Sequence, residues 1–296
     1  MGLRIRTNVP ALRAQRNLAS VTGALQDNME KMSSGFRINK SADDAAGLAI
    51  AETLGSKIRS VDQARRNASD GVSLIQVAEG SMQEMTNIMI RMRELATQAS
   101  SDTIGNLERS YANMEYRELV QEIDRISNST EFNGVNLLGG AEANNGLTSL
   151  TIHVGAGDGT QANTDTILFD VEAIKVKALE TLGFTSEAEI GPTDPTDTSF
   201  SRETAASKLT LIDTAIKKIA GNRAVLGAKQ SRLTSTINNL GVQLENMSTS
   251  RSRIKDLDFA SEVASLTQNK IIAQAGASVL SQANSVPELA LGLLRN

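Results

Sequence analysis

The sequence predicts a mainly α-helical protein: a long antiparallel coiled-coil bundle built from its N- and C-terminal halves, with a small β-hairpin region from the middle. Two segments, residues 61–99 and 209–254, are apolar at nearly every alternating third and fourth position, which is typical of a coiled-coil seam. Between them, residues 150–171 contain runs with the period of two expected of strands. Only 3% of the residues are aromatic and Trp is absent, which disfavours a single large compact core.

The first 40 residues predict a helix with one apolar face. Pro10 is expected near its start, because proline is tolerated in the first helical turn, and residues 33–35 (Ser-Ser-Gly) are expected to interrupt it. The run Ser41-Ala42-Asp43-Asp44 predicts a capping box that opens the next helix, which is expected to continue, with a break, to Ser100. The apolar face of the first helix consists of Leu12, Leu18, Val21, Leu25, Met32 and Phe36.

The seam of the next helix is built mainly from Ala and Met. Eleven of its twelve positions are apolar, with Gly71 as the exception: Val61, Ala64, Ala68, Gly71, Ile75, Ala78, Met82, Met85, Met89, Met92, Ala96 and Ala99. A turn is expected at residues 102–105, followed by a helix over residues 107–126 that packs antiparallel on this one. Asn133-Gly134 predicts a further turn, and Gly139-Gly140 closes the helical first half.

The middle of the chain predicts strands. Leu150, Ile152 and Val154 alternate with polar residues, and a second alternating run contains Ile167, Phe169 and Val171. Glycine and polar residues separate the two runs, so we expect a small hairpin or meander. The only histidine, His153, falls in the first of these runs, where a strand-surface side chain is the expected role.

The second seam is rich in Leu and Ile. Ser199 or Ser201 is expected to cap its helix, and small residues on one seam facing large ones on the other predict that the two helices pack together. Eleven of its fourteen positions are apolar: Leu209, Ile212, Ile216, Ile219, Arg223, Leu226, Gln230, Leu233, Ile237, Leu240, Leu244, Met247, Arg251 and Ile254. A last apolar series follows to the C-terminus, and Pro287, near that end, is expected to lie outside the long helices. The two terminal segments therefore have no evident partner in the chain except each other, and we expect them to bury their remaining apolar surface against other copies.

Composition disfavours several classes of function. A net charge of -4 and a pI near 5.3 argue against a nucleic-acid partner. The sequence contains no stretch of eighteen apolar residues, so a membrane span is not expected. The first seventeen residues lack the apolar region of a secretory signal, so Sec export is not expected. Because cysteine is absent, no thiolate can act as a nucleophile or bind a metal. No nucleotide-binding or hydrolase motif occurs in the sequence. We therefore expect that the protein is not an enzyme and that it has no catalytic residue, cofactor or metal.

Several motifs give a resemblance to a known family. The run from residue 33 to 52, SSGFRINKSADDAAGLAIAE, resembles the N-terminal signature of bacterial flagellins, the proteins of the flagellar filament. Further matching motifs are residues 14–18, 66–71, 92–96, 122–126 and 131–134, and, near the C-terminus, residues 250–254, 273–277 and 282–284 with Pro287. The resemblance covers about residues 1–140 and 200–296.

This resemblance implies a domain organisation. Residues 1–42 and 256–296 would form the terminal helices of the inner tube (D0), and residues 43–140 and 200–255 the helical core of the next shell (D1). Residues 141–199 would supply a D1 β-hairpin and loop region, without the outer domains D2 and D3 of larger flagellins. The implied function is a structural subunit that polymerises helically into the flagellar filament for swimming motility. The implied polymerisation residues lie in the terminal helices: Leu18, Val21, Leu25, Met32, Phe36, Val263, Leu266, Ile271, Val279 and Leu280.

The resemblance also implies partners and a location. The partners would be further copies of the chain, an export chaperone, and the cap and hook-junction proteins. The protein would leave the cell through the flagellar export channel and be extracellular. Some flagellins bind a vertebrate Toll-like receptor through a D1 surface, for which Arg91, Leu95, Gln98 and Glu115 stand at matching positions, whereas Ile90 departs from the polar residue of some recognised members.

Two alternatives remain open at this point. A hook-filament junction protein or a cap-type adaptor would share the helical ends but would not form long filaments by itself. A secreted enzyme would need catalytic residues in the middle of the chain, where none is visible.

Overall fold

The structure is a computed structural model that describes residues 7–157, 165–178, 181–184, 189–192 and 202–294. The predicted mainly helical fold is confirmed. Its elements are α1 (Val9–Ser34), α2 (Ala45–Ala99), α3 (Asn106–Ser129), β1 (Glu131–Phe132), β2 (Val135–Asn136), α4 (Gly140–Ala143), β3 (Ser149–His153), β4 (Thr166–Asp170), α5 (Arg202–Lys255) and α6 (Phe259–Leu294). The chain forms two compact units, residues 59–244 and residues 1–58 with 245–296. The predicted caps of α5, Ser199 and Ser201, lie outside the described residues.

Helices α2 and α5 pack side by side and antiparallel, as the two seams predict. Within the unit of residues 59–244, Arg93 Nε donates to Asp213 Oδ1 at 2.7 Å, and Arg223 Nη2 lies 3.7 Å from Glu79 Oε1. Residue numbers fall along α2 as they rise along α5, which defines the antiparallel direction. All twelve positions of the first seam are buried, and every position of the second seam is buried or partly buried.

Gly71, the non-apolar position of the first seam, is where the β-hairpin approaches α2. A Cβ atom built on Gly71 would lie 2.7 Å from Ile152 Cδ1 and 3.4 Å from Leu233 Cδ1, so a larger residue would displace its neighbours. The predicted hairpin is confirmed, with β3 and β4 antiparallel and Ile152 opposite Ile167. Asn67 Nδ2 on α2 also donates to the carbonyl of His153 at 3.0 Å.

Helix α3 packs antiparallel on α2, as predicted. The buried guanidinium of Arg109 on α3 hydrogen-bonds to the end of α2. Its Nε donates to the carbonyl of Ala99 at 2.9 Å, and its Nη2 donates to the carbonyl of Ser101 at 2.9 Å. These carbonyls lie at the C-terminal end of α2, where helical donors are missing and a cation is favoured. The Asn133-Gly134 turn joins β1 to β2 with positive φ at both residues, the two-residue geometry preferred in hairpins.

Three sequence expectations are wrong. The predicted break in α2 is absent, because the helix is continuous from Ala45 to Ala99. Ser41 does not cap it: Asp44 does, since its Oδ1 accepts from Gly47 N at 2.9 Å, while Asp43 Oδ2 accepts from the backbone of Asn39 and Lys40. Pro287, expected near the C-terminus and outside the long helices, lies within α6.

Candidate self-association surfaces of the terminal helices

The N- and C-terminal helices form an antiparallel pair. Helix α1 lies against α6, and a Cβ atom on Gly276 would be 3.4 Å from Leu18 Cδ1. At the other end of the pair, Gly35 accepts a hydrogen bond from Leu257 N at 3.0 Å. Each helix turns a seam of alternating three- and four-residue spacing toward its neighbour. The partly or fully buried seam positions are Ala11, Ala14, Leu18, Val21, Leu25, Asn28 and Met32 on α1, and Glu262, Leu266, Asn269, Ala273, Gly276, Leu280 and Ala283 on α6.

The segments that follow α1 and precede α6 are tied together by backbone hydrogen bonds. Helix α1 ends at Ser34, and its C-cap Gly35 has a φ of +73°, the left-handed conformation that favours glycine. Phe36 and Asp256 form an isolated antiparallel bridge, and Arg37 N donates to the carbonyl of Lys255 at 2.7 Å. The guanidinium of Arg37 donates to the carbonyl of Ile254 at 2.8 Å. The segment that follows α1 is therefore joined to the segment that precedes α6 by backbone and side-chain hydrogen bonds at this end of the helix pair.

Lys255 joins three parts of this junction. Its Nζ lies 5.0 Å from the centre of the Phe36 ring, within the range of a cation–π contact. The same ammonium group forms an ion pair with Glu52 Oε1 at 3.0 Å. The side chain of Lys255 is only 15% exposed, whereas that of Glu52 is 63% exposed, so solvent screens the ion pair from the carboxylate side.

The outer surfaces of α1 and α6 carry many large apolar side chains. On α6, Ile271 is 61% exposed, Val279 is 58% exposed and Phe259 is 52% exposed. On α6 few acidic or basic residues accompany them, since Glu262, Lys270 and Glu288 are the only charged residues in its 36 residues. On α1 the exposed apolar residues are Val9, Leu12 and Met29, and charged residues stand between them. Single exposed apolar residues are common on protein surfaces, but a series along both helices of a pair indicates a surface that another molecule covers.

The predicted polymerisation residues divide into two groups in the structure. Six of them lie partly buried in the seam between α1 and α6: Leu18, Val21, Leu25, Met32, Leu266 and Leu280. The other four, Phe36, Val263, Ile271 and Val279, are exposed. Sequence reasoning did not select the equally exposed Leu12, Met29, Phe259 and Ile272. Apolar residues that fall outside the heptad seam are the signal that identifies this outer set.

The second candidate surface lies on α2 and α3. Arg91 Nε donates to Glu115 Oε1 at 2.8 Å, and Arg91 Nη1 donates to Glu94 Oε2 at 3.0 Å. Both hydrogen bonds raise the pKa of the Arg91 guanidinium, and the bond to Glu115 contributes more. Gln98 is exposed nearby on α2. Leu95 is only 3% exposed and belongs to the hydrophobic core, so the structure does not place it on this surface with the other three predicted residues.

An open groove between α2 and α3 has a volume of about 410 Å³. Glu84 and Glu122 line it, which raises the question of acid catalysis. The hydrogen bond from Arg125 lowers the pKa of Glu122, whereas a general acid needs a raised carboxyl pKa. The groove therefore lacks the electrostatics of an acid catalyst at Glu122.

Among the residues that the structure describes, no three His, Asp or Glu side chains are grouped to hold a metal ion. No helix in the described part of the chain combines the length and the apolar character needed to cross a membrane. His153, partly buried on β3, lies in the predicted strand.

Comparisons with known proteins cover both helical halves. The family described as "Bacterial flagellin N-terminal helical region" matches residues 5–143, and "Bacterial flagellin C-terminal helical region" matches residues 209–294. A flagellin of Halalkalibacterium halodurans is 40% identical over 291 residues, 98% of this chain and 99% of that protein. The flagellar filament 33 kDa core protein of Treponema phagedenis is 39% identical over 300 residues, again 98% of this chain and 99% of that protein.

One solved structure shares the fold without close sequence similarity. A flagellar hook-associated protein from Vibrio parahaemolyticus superposes with a TM-score of 0.60 at 13% identity, covering 72% of this chain and 100% of that chain. At this identity the likeness concerns the fold alone.

Proposed function

The chain belongs to the bacterial flagellin family, and we propose that it is a structural subunit that polymerises helically into the flagellar filament and so serves swimming motility. The observation that carries the proposal is the series of exposed apolar side chains along both α1 and α6. Relatives that match nearly the whole chain are named as flagellins and as a filament core protein, which are structural proteins.

The physical driving force is burial of apolar surface between copies. Contact between two different surfaces of successive copies generates an open helix when the rotation between them does not close into a ring. Each square ångström of apolar surface removed from water contributes about 25 cal/mol. Each terminal helix buries the apolar side chains of only one face by pairing with the other. Neighbouring copies therefore bury the apolar side chains on the remaining faces.

We assign the terminal segments, residues 1–42 and 256–296, to the inner tube of the filament (D0). Residues 43–140 and 200–255 form the helical core of the surrounding shell (D1), and residues 141–199 its hairpin and loop region. The heptad seams of α1 and α6 support this assignment, because a helix pair with two outward apolar faces needs neighbours on both sides.

The route and partners follow from the same family. The chain is exported through the flagellar channel to an extracellular location, with a chaperone bound to its C-terminal region, and it is added beneath the cap onto the hook-junction proteins. A role as a junction or cap protein itself is the alternative; the fold shared with a hook-associated protein is compatible with both, so it favours neither.

Recognition by a vertebrate Toll-like receptor is a further proposal for the surface formed by Arg91, Gln98 and Glu115. The exposed Arg91–Glu115 ion pair supports it, and the buried Leu95 limits it, because a core side chain offers no contact area to a receptor. The test is a receptor reporter assay on purified monomer. A response that Arg91→Ala weakens is expected, and the absence of any response to the unmodified chain would contradict the proposal.

The polymerisation proposal is tested by concentrating the purified chain and imaging it by electron microscopy. Filaments of micrometre length are expected from the full chain. A chain ending at residue 255, which deletes α6, is expected to remain monomeric while α2 and α5 keep their helical circular-dichroism signal. Filaments formed by the shortened chain, or short rings and oligomers formed by the full chain, would contradict the proposal.

A further inference from the structure

Backbone hydrogen bonds already position α1 against α6 at one end of the pair. Leu257 N donates to the carbonyl of Gly35 there, and Phe36 and Asp256 form a bridge. Toward the other end, where α1 begins, the seam contains the small residues Ala11, Ala14 and Ala283, which bury little apolar surface. A hydrogen bond at one defined position would therefore contribute most to holding the two helices together at that end.

Pro287 creates such a position on α6. Proline has no backbone N–H, so it cannot donate to the carbonyl four residues earlier, that of Ala283. No other residue of α6 is a proline, so this is the one place within the helix where a proline removes a backbone hydrogen bond. A buried carbonyl deprived of its donor is costly unless another group supplies one.

Asn8 supplies the donor from the start of α1. Its Nδ2 donates to the carbonyl of Ala283 at 2.8 Å, across 275 residues of sequence. Its Oδ1 accepts from Ala11 N at 3.2 Å, which caps α1. One side chain thus fixes the beginning of α1 and satisfies the carbonyl that Pro287 leaves without its helical partner.

We propose that Asn8 and Pro287 act together as positioning residues that hold the start of α1 against α6, at the end of the pair opposite Gly35 and Leu257. Carbonyls within the body of α6 already accept from the helix, so the Asn8 amide gains this hydrogen bond only beside Ala283. Leu18 reinforces the same alignment, since it packs where Gly276 leaves no side chain.

The inference rests on the proposed function and extends it to assembly specificity. A helical polymer requires every copy to present the same exposed apolar residues at the same height. Copies in which the start of α1 separates from α6 would offer Leu12 and Val279 at the wrong position for their neighbours. The Asn8–Pro287 pair therefore selects the assembly-competent arrangement of the terminal helices.

A double-mutant cycle on the full chain tests this coupling. The variants are Asn8→Asp, Pro287→Ala and the combination of both. Aspartate keeps the acceptor that caps α1 and favours the helix dipole, but it cannot donate to the carbonyl of Ala283 and sets a negative charge against that oxygen. Asn17→Asp is the matched control, because Asn17 is exposed on the same helix and the charge change is the same. The measured quantity is the critical concentration, the monomer concentration in equilibrium with filaments.

Asn8→Asp is expected to raise the critical concentration about fivefold or more when Pro287 is present. In the Pro287→Ala background, alanine supplies the missing N–H, so the same change is expected to have less than a twofold effect. An equal effect in both backgrounds, or an equal effect of Asn17→Asp, would overturn the proposal.

If the unmodified chain forms no filaments, the proposed function fails and the coupling is read on monomers by hydrogen exchange. The coupling predicts that the amides around Ala283 exchange faster in Asn8→Asp than in the unmodified chain. It also predicts that this difference disappears when Pro287→Ala is added. Equal exchange in all four chains would overturn it.

Discussion

Replacing Ile271 by serine should weaken filament assembly without unfolding the subunit. Ile271 is 61% exposed on α6, which leaves roughly 100 Å² of its surface in water. If neighbouring copies cover all of it, assembly gains about 2.5 kcal/mol at about 25 cal/mol per Å². Half coverage gains about 1.2 kcal/mol. Since every 1.4 kcal/mol is a factor of ten, the critical concentration should rise between about 8-fold and 60-fold.

The assay is sedimentation of polymerised chain across a concentration series, with the monomer left in the supernatant taken as the critical concentration. Val242→Ser is the matched control, because Val242 is a β-branched residue of α5, 60% exposed, outside the terminal helices. The control should change the critical concentration less than twofold. An unchanged value for Ile271→Ser, or an equal rise for Val242→Ser, would refute the reasoning.

Three further predictions concern the stability of the subunit. Met89→Ala should lower the free energy of unfolding in urea by about 2–5 kcal/mol, because Met89 is fully buried, whereas Met114→Ala, at an exposed site, should cost under about 0.5 kcal/mol. Asp44→Ala should lower it by about 1 kcal/mol through loss of the α2 cap, with Asp44→Asn close to neutral. The hydrogen bond from Arg93 lowers the pKa of Asp213, so this carboxylate stabilises the fold above its ordinary pKa and the contribution is lost as pH falls through the lowered value. Asp213→Asn should therefore flatten the acid limb of the stability–pH curve, and an unchanged limb would contradict this.

The helical seams could be predicted because their information is local and periodic. Met82 and Met92 fall at positions that only a buried helix face explains, and both are fully buried. The hairpin followed from the alternation around Ile152 for the same reason. Leu95 was predicted to lie on a surface from motif resemblance, although its position three residues after Met92 places it toward the core.

Features set by distant or competing contacts could not be predicted. Two carboxylates follow Ser41, and the choice of Asp44 as the cap depends on Asp43 being used to close the preceding loop. Pro287 lies inside α6, and the carbonyl four residues before it, that of Ala283, accepts from Asn8 at the opposite end of the sequence. Propensity rules treat each helix alone, so they assign such a proline to a helix end.

The central claim is that α1 and α6 find their remaining partners in other copies of the chain. Electron cryo-microscopy of filaments grown from the purified protein tests it most directly. The expected map shows α1–α6 pairs from successive copies closing the innermost wall, with Ile271 and Val279 covered by neighbouring copies. Filaments in which both side chains remain in solvent, or in which α1 and α6 touch no other copy, would contradict the account.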